Sequence, residues 1–127
     1  INSPSKLLDL FPFKDRLVME LFTDEALLEA DALQIQAMPS WQLIVSSSLS
    51  INDLLIKKIK FIAISKSEVI KNLPYLLSAK DNGIKVYIFN INDKNYKNSE
   101  QDTICSFQDL VHGFYVDNVN LNIKKCD

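Results

Sequence analysis

Glycine is almost absent from this chain. Among 127 residues there are two, Gly83 and Gly113. A Walker loop and a GxGxxG dinucleotide turn each need several residues without a Cβ beside the phosphate, so both are excluded. Histidine occurs once, at His112, and cysteine twice, at Cys105 and Cys126. With no CxxC and no histidine pair, a zinc site is disfavoured, leaving two free thiols or one incidental disulfide. An excess of one charge sign is also missing. The formal net charge is −2, which leaves no basic footprint for nucleic acid, and no nucleic-acid partner is expected. No apolar run approaches the roughly 20 residues that cross a bilayer. Neither a transmembrane segment nor a signal peptide is recognisable, and the expected location is cytoplasmic. The chain begins at Ile1 rather than Met, which suggests a processed product or a piece of something longer.

What is present is ordinary for a globular chain: 47% hydrophobic and 24% charged residues, enough for one domain or part of one. The most telling stretch is Ala79 to Asp93. Asn82-Gly83 ends a helical run, because glycine accepts the left-handed backbone that closes a helix. Ile84 to Ile91 then reads as a strand covered on both faces. Its exit is polar, with Asn90, Asn92 and Asp93 where α/β folds usually gather their ligands.

The rest of the chain alternates in the same way. Ser3-Pro4 starts a helix and Pro12 stops it. Arg16 to Phe22 reads as a strand, followed by a helix capped by Thr23 with Asp24 and Glu25 in its first turn. Leu33 to Pro39 is ambiguous, its apolar residues alternating with glutamines. Trp41 to Ser46 looks like a second strand with a polar exit at Ser46-Ser47-Ser48. Ser50 or Asn52 caps a short helix, and Lys60 to Ile64 is a third strand. Ser65-Lys66-Ser67-Glu68 has the spacing of a capping box. Pro74 predicts a kink, or a restart of the helix capped by Asn72. Asp93 to Asp102 reads as a mobile loop, Thr103 to Leu110 as a helix, and Gly113 to Val116 as the last strand. Strands alternating with helices argue for parallel β-α units in an α/β fold.

With the segments in this order, the chain resembles the second half of a glycerophosphodiester phosphodiesterase barrel. Four places carry the resemblance. Leu7 to Phe22, a helix followed by Arg-Leu-Val-Met-Glu-Leu-Phe, is similar to the family's fifth strand and its preceding helix. Thr-Asp-Glu-Ala-Leu at 23–27 is similar to the helix start that follows. Asn82 to Asp93 resembles Gly-x-x-Val-x-x-Trp-Thr-Val-Asn, and Val111 to Asn118 resembles the closing Val-Asp-Gly-Ile-x-Thr-Asp. Leu21 stands where the family usually has Ser, Phe89 for Trp, and Asn90 and Val116 for Thr.

The resemblance implies the carboxyl-terminal half of a TIM-barrel-like fold; a small open doubly wound sheet is the alternative. It also implies a phosphodiester substrate, a divalent metal (Ca or Mg) in the complete barrel, and a missing amino-terminal half or partner subunit. That half would carry the His-Arg, Glu-Asn-Thr and His-Asp motifs, which are absent here. Since a phosphodiester needs its developing charge clamped, the chain alone is expected to be inactive. No catalytic or metal residue is therefore assigned. The rim candidates are Glu20, Phe22, Asn90, Asn92 and Asp117. Glu20 would face a metal or make a strand-end salt bridge. Asn90, Asn92, Asp93 and Asp117-Asn118 would line a pocket or simply cap and turn the chain. Lys66 and Lys71 have a phosphate-binding and a solvated reading, Trp41 a pocket-wall and a core reading, and His112 is read as a turn or partly buried histidine rather than a catalytic one. A non-catalytic α/β domain that binds a ligand or a protein is the rival to the hydrolase reading.

Overall fold

The structure is a computed structural model that describes residues 3–92, 99–116 and 124–126. The chain divides into two compact units, Ile1–Ala63 and Ile64–Asp127.

In the first unit, helix α1 spans Pro4–Leu10. The Ser3 hydroxyl accepts from the Lys6 amide at 3.5 Å, and Pro4 sits where a helix needs no amide donor. A single 3₁₀ turn, Lys14–Arg16, shortens the first strand to β1, Val18–Leu21. Helix α2, Asp24–Ala32, starts as expected: Thr23 Oγ1 accepts from the Ala26 amide at 3.1 Å. Strand β2 is Gln36–Pro39, inside the stretch whose alternation was ambiguous. It runs parallel to β1 with Val18 opposite Gln36 and Leu21 opposite Pro39.

Trp41–Ser46, expected as a strand, is helix α3. Its Trp, Ile and Val favour strands by propensity, but buried Ser40 caps the Leu43 amide at 3.2 Å. Leu43 and Ile44 are then buried, and tertiary burial overrides the weak preference. The serines at 46–48 end this helix rather than a strand. Helix α4, Ile51–Ile56, has a full capping box between Ser50 and Asp53. The unit closes with β3, Phe61–Ser65, which enters the second unit at Ile64. Ser40, at the exit of β2, bridges Ala63 in parallel.

In the second unit, helix α5 is Lys66–Val69, a 3₁₀ turn covers Ile70–Asn72, and α6 is Leu73–Asp81. The helix restarts at Pro74, as expected, because proline suits a first turn and not an interior. The Ser65–Glu68 capping box does not form. Ser65 has no cap bond and its hydroxyl meets that of Ser67 at 3.2 Å. Asn72 does not cap α6 either; its amide donates back to the Glu68 carbonyl at 2.7 Å.

Strand β4, Lys85–Phe89, is not covered on both faces. Val86 and Ile88 are buried whereas Tyr87 and Phe89 are half-buried and Lys85 is exposed. Helix α7 is Ser99–Phe107, so Ser99 to Asp102 are helical rather than loop. Glu100 and Asp102 suit the positive end of a helix dipole, a signal hidden by the polar composition. Residues 93–98 of that expected loop lie outside the described residues. Strand β5 is only Gly113–Phe114 and pairs in parallel with β4, Tyr87 opposite Gly113.

One junction recurs at the entry to β2, β3 and β4. Gln34, Lys58 and Gly83 have φ of 59°, 58° and 76°. The next residue, Ile35, Ile59 or Ile84, is buried and returns its amide to the helix: to Ala30, Leu54 and Ala79, each at 2.9 Å. This is a Schellman closure with an isoleucine as its apolar anchor. Among the described residues the result is an α/β fold with two small open sheets, β1-β2 and β3-β4-β5, and no closed barrel.

Candidate functional site

In the first unit, the carboxyl ends of β1 and β2 bring Glu20, Phe22, Thr23, Ser40 and Trp41 into the strand-to-helix turns. Glu20 is half-buried and is not a free carboxylate. Phe22 is 54% exposed, an aromatic side chain with little cover just past the strand. Trp41 is half-buried at the start of α3 and has a partner. Nearby, the Ser47 hydroxyl reaches both carboxylate oxygens of Asp24 at 2.8 Å, tying the end of α3 to the start of α2.

A groove of about 560 Å³ follows α2 in the same unit. Its apolar floor includes Leu27, Ile35 and Ala37, and Asp31, Gln34, Lys57 and Lys58 stand around it. These residues gather at the amino ends of the strands, away from the expected rim. None was singled out from the sequence. The one available signal was the repeated polar-Ile-polar junction, Gln34-Ile35-Gln36 and Lys58-Ile59-Lys60.

In the second unit, Asn90 and Asn92 follow β4 and are both exposed. Asn90 has φ 56°, a left-handed conformation that asparagine tolerates better than most residues. Asn92 Oδ1 accepts from the Ser99 hydroxyl at 3.5 Å, linking the strand exit to α7. Phe89 and Tyr115 have ring centroids 6.1 Å apart, and His112 meets Tyr87 edge-on at 5.6 Å. His112 is exposed beside β5, in keeping with a turn residue. Gly113 is required by close approach, since a Cβ there would lie 2.7 Å from Tyr87 Cε1. Lys71 makes a 3.7 Å ion pair with Glu68, its side chain 70% exposed, and Lys66 is half-buried. Asp93, Asp117 and Asn118 lie outside the described residues.

The sequence reading also missed Glu100 and Thr103, both buried on α7, where Glu100 Oε2 and Thr103 Oγ1 have no hydrogen-bond partner among the described residues. The helix dipole partly compensates the glutamate; nothing in the structure accounts for the threonine.

Among the described residues no three His, Cys, Asp or Glu side chains converge where they would hold a metal ion. Among them, no helix is long and apolar enough to cross a membrane. No protein-family model, no curated protein and no solved structure matches the chain. The class that fold and site define is a chain of parallel β-α units with polar and aromatic side chains at the strand exits.

Proposed function

We propose that this chain is the carboxyl-terminal part of a glycerophosphodiester phosphodiesterase-like hydrolase. In this reading it shapes the rim and an interior wall, while an amino-terminal half or partner subunit supplies acid, base and metal. One observation supports it above the rest: β1 and β4 are covered unevenly on their two faces, whereas β2 and β3 are buried on both. On β1, Met19 and Leu21 are buried while Val18 is 43% exposed and Glu20 half-buried. On β4, Val86 and Ile88 are buried while Tyr87 and Phe89 are only half-buried. A barrel strand packs one face on helices and fills the interior with the other. Strands taken without their barrel partners would show this alternation.

The test is hydrolysis of a simple glycerophosphodiester, with Ca or Mg, by the chain alone and by the longer gene product or reconstituted complex. Turnover by the complete protein and none by the chain is the expected result. An inactive complete protein in both metals would end the hydrolase reading.

The groove along α2 favours a second reading, a non-catalytic α/β domain that binds a small ligand, since its volume lies in the usual range for such sites. A Lys58→Glu variant would weaken that binding and leave glycerophosphodiester hydrolysis by the complete protein unchanged.

A further inference from the structure

We propose that the Cys105–Cys126 disulfide is a redox-labile strap that fastens the carboxyl-terminal tail to α7 and, through α7, steadies Asn92. The bond joins cysteines 21 residues apart in sequence with their Cα atoms at 5.4 Å. A side-chain clasp lies beside it. Gln101 Nε2 donates to the Lys124 carbonyl at 2.9 Å, and the Lys124 amide donates to Gln101 Oε1 at 3.1 Å. One glutamine thus satisfies a tail residue in both directions, as a neighbouring strand would. Gln101 Nε2 also donates to Cys105 Sγ at 3.1 Å, so the clasp is hydrogen-bonded to the disulfide itself. Upstream on the helix, Ser99 donates to Asn92. The covalent tie, the clasp and the strand exit therefore follow one another along nine helical residues, Ser99–Phe107.

Both cysteines are half-buried, within reach of a small reductant. A dithiol would open the strap by ordinary exchange. Its thiolate attacks one sulfur and displaces the other, which takes up a proton. Its second thiol then displaces the first cysteine, leaving two cysteine thiols and one cyclic disulfide on the reagent. Without the bond, the ties of the Lys124–Cys126 segment to α7 among the described residues would be the two hydrogen bonds of the clasp, both exposed to water competition. Bonds of this kind persist in oxidising compartments and open where thiols are kept reduced, so the strap would be closed in the one and released in the other. The inference rests on the geometry of α7 and the tail, and it stands or falls independently of the hydrolase reading.

The experiment uses the whole chain purified without reductant, with amide exchange followed over α7 before and after dithiothreitol and α2 as the control. Reduction should speed exchange in α7 by roughly tenfold or more, open the Lys124–Lys125 segment to trypsin, and leave α2 unchanged. Cys126→Ser should behave like reduced protein and ignore dithiothreitol. If that variant fails to fold, the wild-type comparison decides alone. Alkylation of both cysteines before reduction, or equal exchange in α7 in both states, would overturn the proposal.

Discussion

The two units of this chain are held together by different means. In the first, local side-chain caps do much of the work: Ser3, Thr23, Ser40 and Ser50 each accept from the amide of the third residue of the following helix. In the second, neither α5 nor α6 has a side-chain cap. Closure there comes from Gly83, from Gly113 packed on the Tyr87 ring, from the Lys80 ammonium on the Asp109 carbonyl, and from the Cys105–Cys126 bond. Most of these ties join residues far apart in sequence. A cap lies within one turn of what it stabilises and can be read from a few letters, whereas a long-range tie acquires meaning only when the chain has folded.

The largest test of the contrast is one it should survive. Leu54→Ala and Ile88→Ala each empty a fully buried site, one per unit. Each should cost about 2–5 kcal/mol by denaturant titration. A much smaller loss at either would show that its unit lacks a closed core. Next, reducing the disulfide should remove about 3 kcal/mol from the second unit, read as faster exchange in β4 and α7.

Gly83→Ala should cost roughly 1–2 kcal/mol, because an L side chain is strained at φ 76°. Thermal melting would show it, and a neutral result would mean that the Schellman turn tolerates a Cβ there as it does at Gln34 and Lys58. Smaller still, Thr23→Ala should lose about 1 kcal/mol, while Ser65→Ala, which removes no cap, should be near neutral in the same assay. Equal losses at Thr23 and Ser65 would erase the contrast.

The subtlest effect depends on pH. The Ser50 amide, then its hydroxyl, and more weakly Lys57 hold the Asp53 carboxyl below its ordinary range. A carboxyl depressed in the folded state contributes stability above its unfolded pKa and loses it as pH falls through the lower folded value. Asp53→Asn should therefore lose its difference from wild type only under strongly acidic conditions; a difference that fades near neutrality would be wrong for this capping box.

The legible parts of the fold follow the same division. The caps at Ser3 and Thr23 and the turn at Gly83 could be read because one residue's chemistry decides each, whereas Ser50 against Asn52 and a restart against a kink at Pro74 were alternatives that the fold decided. Trp41–Ser46 misled because its branched and aromatic residues prefer strands, and only the buried Ser40 cap and the burial of Leu43 and Ile44 make it helical. Ser99–Asp102 misled because a polar helix start resembles a loop. At the candidate rim, the sequence located Glu20, Phe22, Asn90 and Asn92 by their place at strand ends. It had no means of showing that Asn92 is tied to Ser99, that Glu100 is buried, or that a groove lies along α2.

By itself, then, the sequence determined an alternation of strands and helices and most of the points where helices begin, since these depend on neighbours a few residues apart. Only tertiary structure decided which strand faces were covered, which serines became caps, and that Cys105 and Cys126 would meet. Each of those depends on residues brought together from distant parts of the chain, and no local pattern encodes that proximity.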